Sequence, residues 1–467
     1  MNDKKETRRD FLAKSAFAAG GISLGLNTLP RTAKSSVLGA NDKIRVGFIG
    51  VGNRGSQLLS RFMQNEDMEV AALCDVYKPY TTRERTQVDK RYLDIGKVPR
   101  MGESFPNQIQ TFSDFRQMLD QKDIDAVVIA TPDHWHAIQT IQAIEAGKDV
   151  YVEKPLTITI KEGRMMVDAQ KKSDRVVAVG LNRRGSSVYQ DLSQKVQNGL
   201  IGKVITAQAF RISNMYPNGI GNLKPEDPPR DFDWDLWLGP REFRPYQYNI
   251  APYFFRWWND YSSQMGNWGV HYMDVIRWMI GEEAPTAITA SGGKYVLTDD
   301  RTIPDTMEVQ YEFDSGAIVK FSIHEATGGK GVSGGEVELN GTKGSLYASQ
   351  NGYEVVPARS GQFQDWEQLV EPQDVDIKSS EQYGDLGISE DSTARLIRNF
   401  LDCVKSRETP WCTLEDGHRS TSFAHLGNIA LAAGGRIEWD PKKEMVTNDK
   451  KANEMLHYEY RKPWTLS

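Results

Sequence analysis

Past residue 43 the chain opens with short apolar runs separated by helix-periodic stretches. Ile44-Arg-Val-Gly-Phe-Ile49 is nearly continuous in apolar residues, as a strand buried on both faces requires, and Val70-Ala-Ala-Leu-Cys74 and Ala126-Val-Val-Ile-Ala130 repeat the pattern. Phe115, Met118 and Leu119 have helical spacing, a further helix runs to Gly147, and Val150-Tyr-Val152 supplies another strand. This alternation predicts parallel α/β units. From about residue 160 the character changes. A helix to Lys172, the run from Val176 to Gly180 and a helix ending near Gly199 precede alternating strands at Met307 to Phe313 and Ile318 to Ile323, joined by the turn Asp314-Ser-Gly316. Glu336 to Leu339 and Ser345 to Ala348 flank a second turn, and Thr393 to Val404 has one apolar helical side. The second part therefore reads as an α+β domain with a large open, mainly antiparallel sheet. The expected boundaries are 1–40 for a leader and linker, 43–160 for the parallel domain, 161–445 for the α+β domain and 446–467 for a tail.

The first strand ends in Gly50-x-Gly52-x-x-Gly55, with Asn53 and Arg54 in the turn and Asp75 at the end of the second run. The first glycine permits a tight turn, the second lets backbone N–H groups approach a pyrophosphate, and the third lets the helix pack close. Asp75 would accept the ribose hydroxyls of NAD and repel the 2′-phosphate of NADP, so NAD is the expected cofactor. Ligands bind beyond the carboxyl ends of parallel strands. That rule selects Thr131, Pro132, Asp133 and His136 after one strand, and Glu153 and Lys154 after the next.

Composition narrows the reading. The chain has 467 residues and a net charge of −6 with no basic block, which argues against nucleic acid or anionic lipid as partner. Three cysteines imply neither a disulfide framework nor a metal pattern. Thr7-Arg8-Arg9-Asp10-Phe11-Leu12-Ala13-Lys14 precedes an uncharged run from Ser15 to Leu29, the pattern of a twin-arginine export signal, with a loose cleavage match at Ala33-Lys34-Ser35. That route carries folded proteins, so a cofactor could be loaded first, and the expected location is periplasmic. An aromatic cluster between Trp234 and Trp278 is read as mostly core, with some rings free to line a sugar cleft.

Four segments together resemble the glucose-fructose oxidoreductase and myo-inositol dehydrogenase family: Val46 to Gly55, Ala130 to His136, Ala146 to Pro155, and Gly266-Asn-Trp-Gly-Val-His271. Trp234 to Pro240 and His425 to Ile429 resemble its exported branch. The resemblance implies a Rossmann domain, a C-terminal open-sheet domain, and hydride transfer between a nicotinamide and a sugar or cyclitol carbon. It implies Lys154 as a catalytic and substrate-binding residue, with Pro155 fixing its backbone direction. His271 is the natural base for the hydroxyl proton. The family usually has an aspartate where this chain has Asn267, which can orient the ring or bind a hydroxyl but not pair with an imidazolium; Asp274 and Lys154 stand as alternative bases. Asn182 and Arg183 resemble positions near the nicotinamide or sugar. A metal held by His134, His136 and His271 is not expected, because no further ligand is spaced to complete it.

Three functions follow. The first is an oxidoreductase acting on a sugar or glycoside ring hydroxyl, for instance C3 of a glucoside, with tightly held NAD. The second is an NAD-dependent glycosidase working by transient oxidation and elimination. The third is a non-catalytic sugar sensor, disfavoured by the presence of Lys154 and His271. The open sheet face invites a homodimer or homotetramer.

Overall fold

A computed structural model describes residues 43–97, 101–329, 331–332, 335–359, 361, 367–377 and 391–466. The leader at 1–40 and its cleavage position lie outside the described residues, and the glycine-rich stretch from 328 to 335 lies partly outside them.

Six parallel strands form the first sheet: β1 (Ile44–Ile49), β2 (Met68–Cys74), β3 (Gln110–Phe112), β4 (Ala126–Ile129), β5 (Asp149–Val152) and β6 (Val177–Val179). Their spatial order is β3-β2-β1-β4-β5-β6, the doubly wound Rossmann order. Strands β4 and β5 are buried throughout and apolar except for Asp149, whose carboxylate accepts from the Val176 N–H at 2.8 Å and pairs with Arg407. Helix α1 (Asn53–Phe62) follows β1 and presses Phe62 edge-on against Phe48 at 5.6 Å and Tyr151 at 5.7 Å. Each such ring adds roughly 1.5–3 kcal/mol of burial free energy. The sheet takes in β6, beyond residue 160 where the pattern change begins. A three-residue strand is too short for its periodicity to assign it to either domain.

The second sheet has ten strands, in the order Gln373–Asp376, Gly352–Pro357, Gly344–Ser349, Val337–Gly341, Val204–Ile212, Ile318–His324, Thr306–Glu312, Ala287–Gly293, Ile437–Asp440 and Met445–Val446. Val204–Ile212 and Ile318–His324 pair in parallel. The remaining pairs are antiparallel, as the alternating runs predict. Helices α2 (Val270–Ile280) and α3 (Leu414–Ala433) contribute to the core of this domain. Tyr311 Oη donates to the Phe423 carbonyl at 2.8 Å across that layer. The terminal segment is docked, because Trp464 packs edge-on against Trp135 with 4.7 Å between ring centres and Tyr460 donates to Glu162.

Candidate active site

The turn after β1 shows why its glycines are needed. Gly50 sits at φ +82°, and a Cβ there would lie 2.8 Å from the backbone of Ala130 and Thr131. A Cβ on Gly55 would lie 1.8 Å from the Gly50 carbonyl oxygen, so the helix can begin this close to the strand only without a side chain. Gly52 occupies the N-cap of α1, the place where free N–H groups and the helix dipole favour a phosphate. At the end of β2, Asp75 accepts from the Val51 and Tyr77 backbone N–H groups at 2.9 and 3.0 Å. Burial pushes its carboxyl up to about 6. These features fit a nicotinamide dinucleotide: an open helix N-terminus for the pyrophosphate and a carboxylate placed for ribose hydroxyls.

One continuous cleft runs from this turn to the second domain. Gly50, Gly52, Asn53, Arg54 and Asp75 line one end, Thr131, Pro132 and Asp133 the middle, and Glu153, Lys154 and Asn267 the other end. Arg54 Nε donates to Glu153 Oε1 at 2.7 Å, and Glu153 Oε2 accepts from the Lys154 backbone N–H at 3.1 Å. Lys154 Nζ donates to the Asn267 carbonyl at 2.8 Å and to Asn267 Oδ1 at 3.2 Å. Burial drives its pKa down to about 8, so both amine and ammonium are present near neutral pH. Asn267 lies on a π-helical turn, Met265–Gly269, immediately before α2; such widened turns recur at functional sites. His271 follows in the first turn of α2, buried, with Nδ1 lacking any partner among the described residues. Burial and the cations Lys154, Arg183 and Arg54 hold its pKa well below the usual value, so the ring is neutral and its protonation is disfavoured.

Several expected site residues have other duties. Asp274 is fully buried, accepts two hydrogen bonds from Arg184 Nε at 3.0 and 3.2 Å and one from Ser420 Oγ at 2.7 Å, and does not line the cleft. The reading of Asp274 as a substrate ligand or alternative base is therefore corrected: one helical turn past His271 points into the interdomain core. Arg183 forks onto Glu336 at 2.6 and 3.0 Å and stacks on Tyr272, so its charge is already matched. Asn182 does not line the cleft, and its buried Oδ1 is unpartnered among the described residues. His136 is a support and does not line the cleft, its two ring nitrogens lying 2.8 Å from the Pro155 carbonyl and 2.9 Å from that of Thr131. His134 faces the Trp237 carbonyl, and burial lowers its pKa to about 3.

Sequence reasoning expected some rings of the aromatic cluster to line a cleft but named none of the residues of its aromatic wall. Tyr77, Tyr80 and Tyr92 line the first end, and Phe232, Trp237, Tyr253, Phe255 and Arg256 come from the aromatic segment. Asp233 caps a short helix, Trp234–Leu238, by accepting from the Leu236 N–H at 2.9 Å, and Phe254–Trp257 makes a 3₁₀ turn. The aromatic density was the available signal; without a period it could not say which rings face the cleft.

A Rossmann sheet carrying a dinucleotide cleft, closed by an open-sheet domain that delivers a lysine partner, defines a nicotinamide-dependent oxidoreductase of two domains. Residues 44–181 match the family profile described as "Oxidoreductase family, NAD-binding Rossmann fold", and residues 185–370 and 386–466 match "Oxidoreductase family, C-terminal alpha/beta domain". The chain belongs to the Gfo/Idh/MocA oxidoreductase family, named for glucose-fructose oxidoreductase and myo-inositol dehydrogenase.

Among curated relatives, a glycosyl hydrolase family 109 protein of Shewanella putrefaciens is 30% identical over 227 residues, 44% of this chain and 46% of the relative. The α-N-acetylgalactosaminidase of Shewanella oneidensis is 29% identical over 226 residues, with the same shares. The match thus spans about half the length of these relatives. Among solved structures, levoglucosan dehydrogenase in complex with NADH and levoglucosan aligns with TM-score 0.60 at 19% identity, over 85% of this chain and 99% of that one. That likeness establishes the shared fold.

Proposed function

We propose that the protein is an NAD-dependent oxidoreductase acting on a ring hydroxyl of a sugar or glycoside, for instance C3 of a glucoside. The observation that carries this reading is Lys154, held by Asn267 in the wall of the same cleft that Gly50, Gly52 and Asp75 open. Bound nicotinamide supplies the hydride acceptor. Asn267 accepts two hydrogen bonds from Lys154 Nζ, which fixes the nitrogen and leaves it a further position for a substrate hydroxyl. As the neutral amine, Lys154 takes the hydroxyl proton while the carbon gives up hydride; in reverse, the ammonium returns it. His271, neutral and coupled electrostatically to Lys154, is the proposed second group for orienting a neighbouring hydroxyl. Asp75 favours NAD over NADP, because its carboxylate would face the 2′-phosphate.

A second reading, an NAD-dependent glycosidase, is favoured by the family 109 relatives over 44% of the chain. The proposal extends to export by the twin-arginine signal around Arg8 and Arg9, a periplasmic location, and a homodimer or homotetramer formed through the open sheet.

The test is to purify the mature protein, read its bound nicotinamide by absorbance, and add a glycoside panel while following products by mass. A ketone product with accumulating reduced nicotinamide supports the oxidoreductase. Net bond cleavage without accumulation favours the glycosidase, and silence across the panel overturns both.

A further inference from the structure

The cations around the sugar end of the cleft are unevenly matched. Arg54 is paired with Glu153, Arg183 with Glu336, and Arg301 with Asp299 and Glu325. Arg256 and Arg211 make no ion pair within 4.0 Å among the described residues. Arg256 lines the cleft; its Nη1 donates to the Tyr253 carbonyl at 2.7 Å, and its guanidinium lies 4.5 Å from the Tyr253 ring centre and 4.4 Å from that of Phe255. Arg211 stands on the strand Val204–Ile212 with its guanidinium 3.8 Å from the ring centre of Trp268, the neighbour of Asn267. Its Nε is buried and unpartnered among the described residues. Both guanidinium groups act electrostatically on Tyr253, which also lines the cleft, so a sheet strand and an irregular segment of the second domain bring them toward one region.

The carboxylates nearby are committed elsewhere. Glu325 Oε2 accepts from Arg301 at 2.7 Å and from Trp257 Nε1 at 2.9 Å. Asp133 faces Arg256 from beyond ion-pair distance, accepts from Ser262, and has the His136 ring beside it. Among the described residues neither guanidinium has a carboxylate within ion-pair distance: Arg256 has the Tyr253 carbonyl and the more distant Asp133, Arg211 has the more distant Glu325, and burial lowers the pKa of both. The planar fork of arginine matches the oxygens of a carboxylate or sulfate, and the aromatic faces beneath each group hold its plane.

Building on the oxidoreductase reading, we propose that the substrate is an acidic sugar, with an anionic substituent, a uronate carboxylate or a sulfate ester, received by Arg256 and supported by Arg211. The neutral part of the ring then lies toward Lys154 and Asn267, and the anion toward Tyr253.

Calorimetry on the NAD-loaded protein compares methyl glucuronide, its methyl ester, methyl glucoside and glucose 6-sulfate. The acid is expected to bind at least about tenfold more tightly than the ester, a gap of ~1.4 kcal/mol. The sulfate arm separates a general anion site from one selective for carboxylate. Arg256→Gln and Arg211→Gln are expected to erase the gap between acid and ester while nucleotide content stays unchanged. Equal binding of acid, ester and glucoside by the unaltered protein overturns the proposal without any variant, and Arg256→Gln stripping nucleotide instead of the sugar preference reassigns that arginine and overturns it too. An acid preference in binding with no change in nicotinamide absorbance on any sugar would sink the oxidoreductase reading and leave the anion site standing.

Discussion

Lys154 is the residue on which the proposed chemistry turns, and its environment gives the sign of the pH dependence. Its pKa is lowered to about 8 chiefly by burial, so raising pH through that value converts ammonium to amine. Sugar oxidation is therefore expected to rise with pH and level off above about 8, while ketone reduction falls over the same interval; steady-state rates in both directions check this. Lys154→Ala should abolish turnover yet leave the protein co-purifying with nucleotide, because the glycine turn and Asp75 are separate from it; retained turnover would remove Lys154 from the mechanism. Asn267→Asp places a carboxylate where Oδ1 now lies 3.2 Å from Nζ. Opposite charge favours the ammonium, and the alkaline rise should move up by roughly 1–3 pH units. Asp75→Ser should reduce the preference for NAD over NADP by at least about tenfold in equilibrium binding, ~1.4 kcal/mol.

At the scale of elements, the β1 turn and the π-helical turn before α2 do different work. The first is a steric construction, with Gly55 tolerating an approach that a methyl group would close to 1.8 Å from the Gly50 oxygen. Gly55→Ala should therefore lose bound nucleotide and lower the thermal midpoint together, measured on the same preparation by absorbance and calorimetry. The π-helical turn brings both the carbonyl and the side chain of Asn267 onto one lysine, while Trp268 backs Arg211. Neither arrangement follows from ordinary 3.6-residue spacing, by which Asn267 and His271 would simply share a face.

Across the whole molecule, buried charge ties the stretch that follows β6 to the helices of the second domain. Asp274 on α2 meets Arg184 from the stretch after β6 and Ser420 on α3, and all three are nearly or fully inaccessible. Asp416 also lies 3.2 Å from Arg184, so Asp274→Asn weakens the cluster without stranding the guanidinium and should cost about 1–3 kcal/mol in denaturant unfolding. If Asp274 were a base, turnover would fall without that loss of stability. Helix α3 explains one gap in the sequence reading: thirteen of its twenty residues are buried, on nearly every side, so it carries no clear apolar stripe for periodicity to find.

The parallel domain, the dinucleotide turn, Asp75 and the Lys154 loop were legible in the chain because each depends on local rules: apolar runs for buried strands, glycine where a Cβ cannot fit, and functional residues at strand ends. Candidate residues on α2 were legible only as a group. Which of them faces the cleft was decided by tertiary packing, which gave Lys154 to Asn267, left His271 neutral beside it and buried Asp274 against Arg184. The aromatic wall and the two arginines without carboxylate partners were decided in the same way, because their positions come from irregular backbone and from strands distant in sequence, where no period records which side chain meets the cleft.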